Sequence, residues 1–179
     1  MKLAIVAYPS LDEIDRQWIE SFRAKHDPQA SRLGVHFTFV FPVEALPSEL
    51  EREIAVVAQS TQPISFTIHG AEVVRDVPGS HSHIFLVPDA GDAQIATLHD
   101  RLYAGALRGH LRADVPFVPH MTVGATADSQ LAARLAAEIR VRSRMVRGTI
   151  ANLVLVDVGT PRVQSVATHA LRNAAGTSA

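Results

Sequence analysis

The chain has 179 residues, its 17 Lys and Arg nearly balance its 18 Asp and Glu, and 47% of its residues are hydrophobic, a composition typical of a globular protein. With no cysteine, disulfides, thiolate metal sites and thiol nucleophiles are excluded. The near-neutral charge argues against a protein that coats long nucleic acid, and short apolar runs predict neither a signal peptide nor a membrane span, hence a cytoplasmic protein.

Apolar periodicity in the first half predicts three strands separated by two helices. The strands are expected at residues 2–8, 35–41 and 64–75, with helices at 11–25 and from Pro47 onward. On the first helix, one buried stripe is predicted, formed by Leu11, Ile14, Trp18 and Phe22. The alternating phenylalanines of the second strand are predicted to pack in the core, namely Phe37, Phe39 and Phe41.

The second half shows the same order of elements, which indicates an internal repeat. A strand at 84–88, a helix opening at Asp92, a strand at 118–125, a helix at 131–139 and a long strand at 145–158 are expected, followed by a last strand at 163–171. The chain is therefore predicted to be one two-lobed α+β domain, with units at about 1–76 and 80–172 around a central cleft. A turn is expected at 76–79 and a frayed tail at 173–179.

Two histidines occur in the pattern His-x-Thr at equivalent points of the two halves. His36 precedes Thr38 and His120 precedes Thr122, each within a predicted apolar strand. Residues two apart on a strand share a face, so each pair projects to the same side. Because a twofold arrangement of the halves would bring the pairs together, these four residues are the candidate site.

Such a pair suits the cleavage of a cyclic phosphodiester. One group must take a proton from water while another gives a proton to the departing ribose oxygen, on opposite sides of the phosphorus. Imidazole, with a pKa near 6.5, can fill either role near neutral pH. Threonine hydroxyls can donate to phosphate oxygens, so this chemistry requires neither a metal nor a cofactor.

The segments HFTF at 36–39 and PHMTVG at 119–124 resemble the paired signatures of the 2H phosphoesterase superfamily, in its 2′-5′ RNA ligase and RNA cyclic phosphodiesterase branch. The resemblance implies a two-lobed α+β fold, His36 and His120 as the acid/base pair, and Thr38 and Thr122 as phosphate-binding residues. It implies hydrolysis of a 2′,3′-cyclic phosphate on an RNA end or a small cyclic nucleotide, with reversible 2′-5′ ligation as a related activity. A monomer that processes RNA is expected.

Several alternatives stay open at this stage. His81 and His83 have the spacing of metal ligands on one strand, which allows a metal-dependent hydrolase, or His81 lines the cleft mouth. The protein could also bind nucleotides or RNA without turnover. The basic residues Arg134, Arg140, Arg142, Arg144 and Arg147 indicate a solvated helix end, with an RNA-backbone contact as the alternative.

Overall fold

The computed structural model describes residues 1–76, 80–112, 114–142 and 144–172. Within these ranges the chain forms an α+β fold, as the order of elements predicts, with ten strands where the sequence predicts seven. The strands are β1 (Lys2–Ala7), β2 (Ser10–Leu11), β3 (Phe37–Glu44), β4 (Ile64–Ile68), β5 (Ala71–Arg75), β6 (Ser82–Leu86), β7 (Met121–Thr126), β8 (Val146–Ile150), β9 (Asn152–Asp157) and β10 (Gln164–Ala170). The predicted tail at 173–179 and residues 77–79 of the predicted turn lie outside the described residues.

The strands form two antiparallel sheets. The larger sheet has the order β10-β9-β1-β3-β7-β6-β5 and the smaller has the order β2-β8-β4. In the larger sheet β1 pairs with β3 and β6 pairs with β7. Strands β3 and β7, which directly follow His36 and His120, are neighbours and meet through a single residue pair, Phe37 with Met121. The repeat therefore brings its two equivalent strands together near the middle of the larger sheet.

Four α-helices and one short 3-10 helix accompany the sheets in the described part of the chain. The α-helices are α1 (Glu13–His26), α2 (Pro47–Gln59), α3 (Asp92–Leu102) and α4 (Ser129–Arg140), and the 3-10 helix is Ala106–His110. Aspartate side chains cap the N-termini of α1 and α4: Asp12 accepts from the Ile14 amide, and Asp128 accepts from the Gln130 and Leu131 amides. None of the helices described is long and apolar enough to cross a membrane.

The helices of the two halves are exchanged across the larger sheet. Helix α1 of the first half contacts β7 of the second, while α3 of the second half contacts β3 of the first. One buried cluster consequently includes residues from both halves, among them Phe37, Ile84 and Met121. This exchange fixes the positions of β3 and β7 relative to one another through a shared core.

Two predicted long strands are wrong, because each is two strands in different sheets. The segment predicted at 64–75 forms β4 in the smaller sheet and β5 at the edge of the larger one. The segment predicted at 145–158 forms β8 in the smaller sheet and β9 between β10 and β1 in the larger one. Strands β4 and β8 pair with each other. In the first segment Gly70 stands between the two strands, a sign of a break that the prediction overlooked. In the second, Ala151 between β8 and β9 gives no such sign, because sheet membership is decided by the pairing partner and not by local propensity.

The buried face of α1 also differs from the prediction. Ile14, placed on the buried stripe, is 60% exposed, whereas the buried residues are Asp15, Ile19 and Arg23. Trp18 packs partly buried against the core. An apolar periodicity overlooks Asp15 and Arg23 because it takes charged residues to be exposed, yet charges can be buried where they are paired.

One of the phenylalanines predicted to lie in the core is exposed. Phe37 and Phe39 are 1% exposed, but Phe41 is 39% exposed. The register between β1 and β3 is irregular near Ile5, and Val40, next to Phe39, is buried as well. Two consecutive inward residues reverse the alternation of a strand, as a bulge does, so Phe41 points outward.

The arginines after α4 are engaged within the protein. Arg142 and Arg144 both donate to the buried carboxylate of Asp15, over 3.2 and 2.9 Å. The Arg142 guanidinium also lies 3.9 Å from the centre of the Trp18 ring, a cation–π contact. For Arg142, whose side chain is 22% exposed, the predicted solvated position is wrong. The Arg144 side chain is 43% exposed, as predicted, although it also pairs with the buried Asp15 carboxylate.

Candidate active site

The four predicted site residues surround the one residue pair that joins β3 to β7. Phe37 and Met121 are paired and are 1% and 0% exposed, so their side chains face the core. Neighbours along a strand point to the opposite face, which places His36, Thr38, His120 and Thr122 together on the other face. Extending the antiparallel register by one residue puts each histidine across from the threonine of the other strand.

The two histidines are therefore diagonal neighbours. In antiparallel pairs, diagonal neighbours are separated by about 7–8 Å, a spacing that leaves room for a phosphate group between two imidazoles. His36 and His120 are each half-buried, and a positive charge on His36 is close enough to lower the pKa of His120. The two rings thus act on each other electrostatically.

Each imidazole is oriented by a hydrogen bond to the backbone carbonyl two residues before it. Nδ1 of His36 donates to the Gly34 carbonyl over 2.9 Å, and Nδ1 of His120 donates to the Val118 carbonyl over 2.7 Å. A carbonyl oxygen only accepts, so Nδ1 carries the proton in both rings. This leaves Nε2 as the atom that can take or give a proton.

Burial lowers the pKa of both histidines below the usual value. For His36 the hydrogen bond to Gly34 partly opposes this effect, and for His120 the hydrogen bond to Val118 does the same. The positive charges of His36 and His83 further lower the pKa of His120. Since each positive charge disfavours the other, a form of the pair with one imidazolium and one neutral imidazole is favoured over an intermediate pH range.

Aromatic residues on the neighbouring strands contact both imidazoles. The Phe85 ring of β6 stacks on His120, with centroids 3.7 Å apart and planes at 19°. Tyr8, directly after β1, approaches His36 edge-on with centroids 6.3 Å apart. Burial raises the pKa of the Tyr8 hydroxyl, which keeps it a proton donor. Neither residue belongs to a predicted site motif, although Phe85 lies two positions from His83 and so shares its strand face.

The candidate metal ligands His81 and His83 are not gathered into a metal site. His83 stacks on Phe85 and its Nε2 lies 3.3 Å from an Asp76 carboxylate oxygen, while Nδ1 of His81 lies 3.3 Å from the Ser80 hydroxyl. Among the residues that the structure describes, no three His, Asp or Glu side chains are grouped so as to hold a metal ion. His83 instead borders the His120 ring through Phe85.

The threonines complete the candidate site. Thr38 and Thr122 are both half-buried. Neither hydroxyl forms an intramolecular hydrogen bond with the described residues, so both are available as donors to a bound group. Two imidazole Nε2 atoms and two hydroxyls on one sheet face form a set that can bind a phosphate and move protons on either side of it.

The sequence also matches a known protein family. Residues 11–161 match the family described as the 2′-5′ RNA ligase superfamily. No curated protein gives a significant match.

Solved structures share the fold over nearly the whole chain. The protein TT0787 of Thermus thermophilus superposes with a TM-score of 0.64 at 18% identity, covering 97% of this chain and 100% of that one. Escherichia coli LigT complexed with NADP⁺ gives a TM-score of 0.58 at 18% identity, covering 96% and 98%. Usb1 of Kluyveromyces marxianus gives 0.55 at 13% identity, covering 95% and 98%. At these identities the similarity establishes the fold.

Proposed function

Because the chain belongs to the 2′-5′ RNA ligase superfamily, which it matches over residues 11–161, we propose that it is a metal-independent phosphodiesterase that opens 2′,3′-cyclic phosphates. The observation that carries the proposal is the pair of His-x-Thr motifs on one sheet face around the Phe37–Met121 pair. The substrate is an RNA 2′,3′-cyclic phosphate end or a small cyclic nucleotide. Several solved structures of LigT are complexes with nucleotides, namely NADP⁺, 3′-AMP and ATP, which supports a ligand of this class.

In the proposed reaction, Nε2 of one histidine takes a proton from water as the water oxygen attacks phosphorus. The bond from phosphorus to one ribose oxygen breaks, and Nε2 of the other histidine gives that oxygen a proton. The attack is in line, so acid and base stand on opposite sides of the phosphate, as diagonal neighbours can. The hydroxyls of Thr38 and Thr122 donate to the non-bridging oxygens, where charge is held in the transition state.

In the active form of the enzyme one histidine is a positively charged imidazolium and the other is a neutral imidazole. Since burial lowers the pKa of His36 and of His120, this form is populated mainly on the acidic side of neutrality in the free enzyme. We therefore expect a bell-shaped dependence of kcat/KM on pH, with its maximum below pH 7.

Ligation is a second candidate activity, favoured by the family to which the chain belongs. If an RNA 5′-hydroxyl replaces water as the attacking group, the same two proton transfers produce a 2′-5′ linkage from a 2′,3′-cyclic end. Supplying an RNA with a free 5′-hydroxyl beside a cyclic-phosphate RNA tests this activity. A product of summed length that resists a 3′-5′-specific nuclease supports ligation.

Phosphorus NMR of a 2′,3′-cyclic nucleotide with the protein in excess chelator tests hydrolysis. Wild type is expected to open the ring and to show by chemical shift which oxygen keeps the phosphate. His36→Ala and His120→Ala are each expected to lose about 10²- to 10⁴-fold in rate, while His110→Ala, at an exposed position on the 3-10 helix, serves as the control. Binding of cyclic nucleotides and RNA ends without turnover would refute the proposal in favour of a binding module, and loss of turnover in chelator would favour a metal-dependent hydrolase.

A further inference from the structure

Charged side chains of α1 form hydrogen bonds with the backbone of the segment that precedes His36. A Glu20 carboxylate oxygen accepts from the Val35 amide over 2.7 Å. Arg23 donates from Nη2 to the Leu33 carbonyl over 2.9 Å. Gly34 lies between these two anchored residues, and its carbonyl is the acceptor for Nδ1 of His36. The backbone group that orients the His36 ring is thus fixed on both sides by α1.

The two anchoring side chains belong to one largely buried ionic network. Arg23 is 1% exposed; its Nη1 donates to Glu20 over 3.0 Å and its Nε to Asp27 over 2.9 Å. Burying charges costs free energy that pairing only offsets when the geometry is well satisfied. Here each nitrogen of the guanidinium has an acceptor, so the network has one well-defined arrangement.

The histidine of the other half is supported in a different way. Its acceptor, the Val118 carbonyl, follows Phe117, whose ring stacks on the buried His99 with centroids 3.8 Å apart and planes at 11°. Removing a charge from α1 should therefore disturb His36 and leave His120 in place. This asymmetry provides an internal control.

We propose that Glu20 and Arg23 are positioning residues for His36, which hold the Gly34 carbonyl where it fixes the Nδ1-protonated form and the direction of Nε2. Only the effect on rate rests on the proposed function; the effect on the ring does not. A group that orients a reacting residue acts on catalysis through geometry, and a displacement of about 1 Å can cost about 100-fold in rate.

The decisive variant is Glu20→Gln, which keeps the shape of the side chain. Glu20 accepts from two donors, the Val35 amide and Arg23. A glutamine amide has one oxygen, so it can satisfy one donor while its NH₂ group opposes the other. The matched control is Glu13→Gln on the same helix, where an exposed glutamate accepts from Arg16 and Gln17 away from the His36 segment.

The primary readout is the tautomer of each imidazole, measured by ¹⁵N–¹H NMR of the ring nitrogens at about pH 8, above the usual histidine pKa. His36→Gln and His120→Gln proteins assign the signals. We expect wild type and Glu13→Gln to show only the Nδ1-protonated form at both rings. Glu20→Gln is expected to show a mixture of tautomers at His36 and no change at His120.

The second readout separates kcat from KM for a cyclic nucleotide. Glu20→Gln is expected to lower kcat by about 10- to 100-fold with KM within twofold of wild type, and Glu20→Asp, which keeps two acceptor oxygens, is expected to recover part of the loss. An unchanged His36 tautomer in folded Glu20→Gln overturns the proposal, and so does an equal loss of kcat in Glu13→Gln. If Glu20→Gln does not fold, Glu20→Asp replaces it: a smaller share of the second tautomer is expected at His36, and an unchanged His36 tautomer overturns the proposal. A wild type without turnover refutes the proposed function, while the NMR result still decides the role of Glu20.

Discussion

Replacing Phe85 by leucine tests whether the stacked ring holds His120 in its working orientation. The two rings lie 3.7 Å apart at 19°, and leucine keeps most of the apolar volume while removing the flat surface. An aromatic pair contributes about 0.5–1.5 kcal/mol beyond its buried area. If that free energy confines the imidazole, its loss lowers the oriented fraction, and with it kcat/KM, by about 2- to 13-fold.

The same variant should move one limb of the pH profile in a known direction. Burial is the main cause of the lowered pKa of His120, and Phe85 covers one face of that ring. Partial exposure therefore raises the pKa of His120 toward its ordinary value. If His120 is the base, the acidic limb moves to higher pH; if it is the acid, the alkaline limb moves to higher pH. The limb that moves identifies the role of His120.

The assay is kcat/KM for a 2′,3′-cyclic nucleotide between about pH 4.5 and 8.5, with thermal unfolding measured alongside. Phe22→Leu is the matched control. Phe22 and His26 both lie on helix α1, and their ring centroids are 4.6 Å apart. We expect the control to keep the wild-type profile. A Phe85→Leu profile with both limbs unmoved, or with a limb moved to lower pH, would show that the Phe85 ring does not control the pKa of His120.

Three further changes have defined outcomes. Thr38→Val and Thr122→Val should each lower kcat by about 10²- to 10³-fold, as the loss of one transition-state donor does, with little change in thermal unfolding; rates within threefold of wild type would contradict the phosphate-binding role. The pKa of His36 and of His120 is lowered in the folded state, so as pH falls below about 6.5 these histidines are protonated in the unfolded chain first. Each histidine therefore lowers the free energy of unfolding by up to about 1.4 kcal/mol per pH unit. Urea unfolding of a His36→Gln/His120→Gln protein should show a shallower decline, and an equal or steeper one would contradict the sign. Gly91 has φ +86° and a Cβ there would meet a backbone oxygen, so Gly91→Ala should cost about 1–3 kcal/mol; an unchanged urea midpoint would contradict this.

Motif and repeat predicted the parts of the site that depend on strand geometry alone. Alternation placed each threonine on the face of its histidine, and the repeated order of elements predicted that the two strands would be equivalent. The family and the α+β fold are confirmed by the match over residues 11–161 and by the shared structures. The catalytic roles of the four residues stay predictions.

What the sequence could not predict depends on contacts between distant segments. The stacking of Phe85 on His120 requires β6 to pair with β7, and no local pattern marks that contact. Likewise, Asp15 is buried on α1 because Arg142 and Arg144, far along the chain, pair with its carboxylate. A prediction from apolar periodicity treats charged residues as exposed. It therefore predicts the wrong buried face for α1 and gives no sign that charged residues of α1 contact the segment before His36.

His36 and His120 are proposed to act as one catalytic unit, and a comparison of single and double variants measures whether they do. Rates of cyclic phosphate opening would be measured in chelator for wild type, His36→Ala, His120→Ala and the double variant. Groups that act as a unit are strongly non-additive, so each single loss should approach the loss in the double variant. Single losses that multiply to give the double, or a single variant that retains the wild-type rate, would contradict the account.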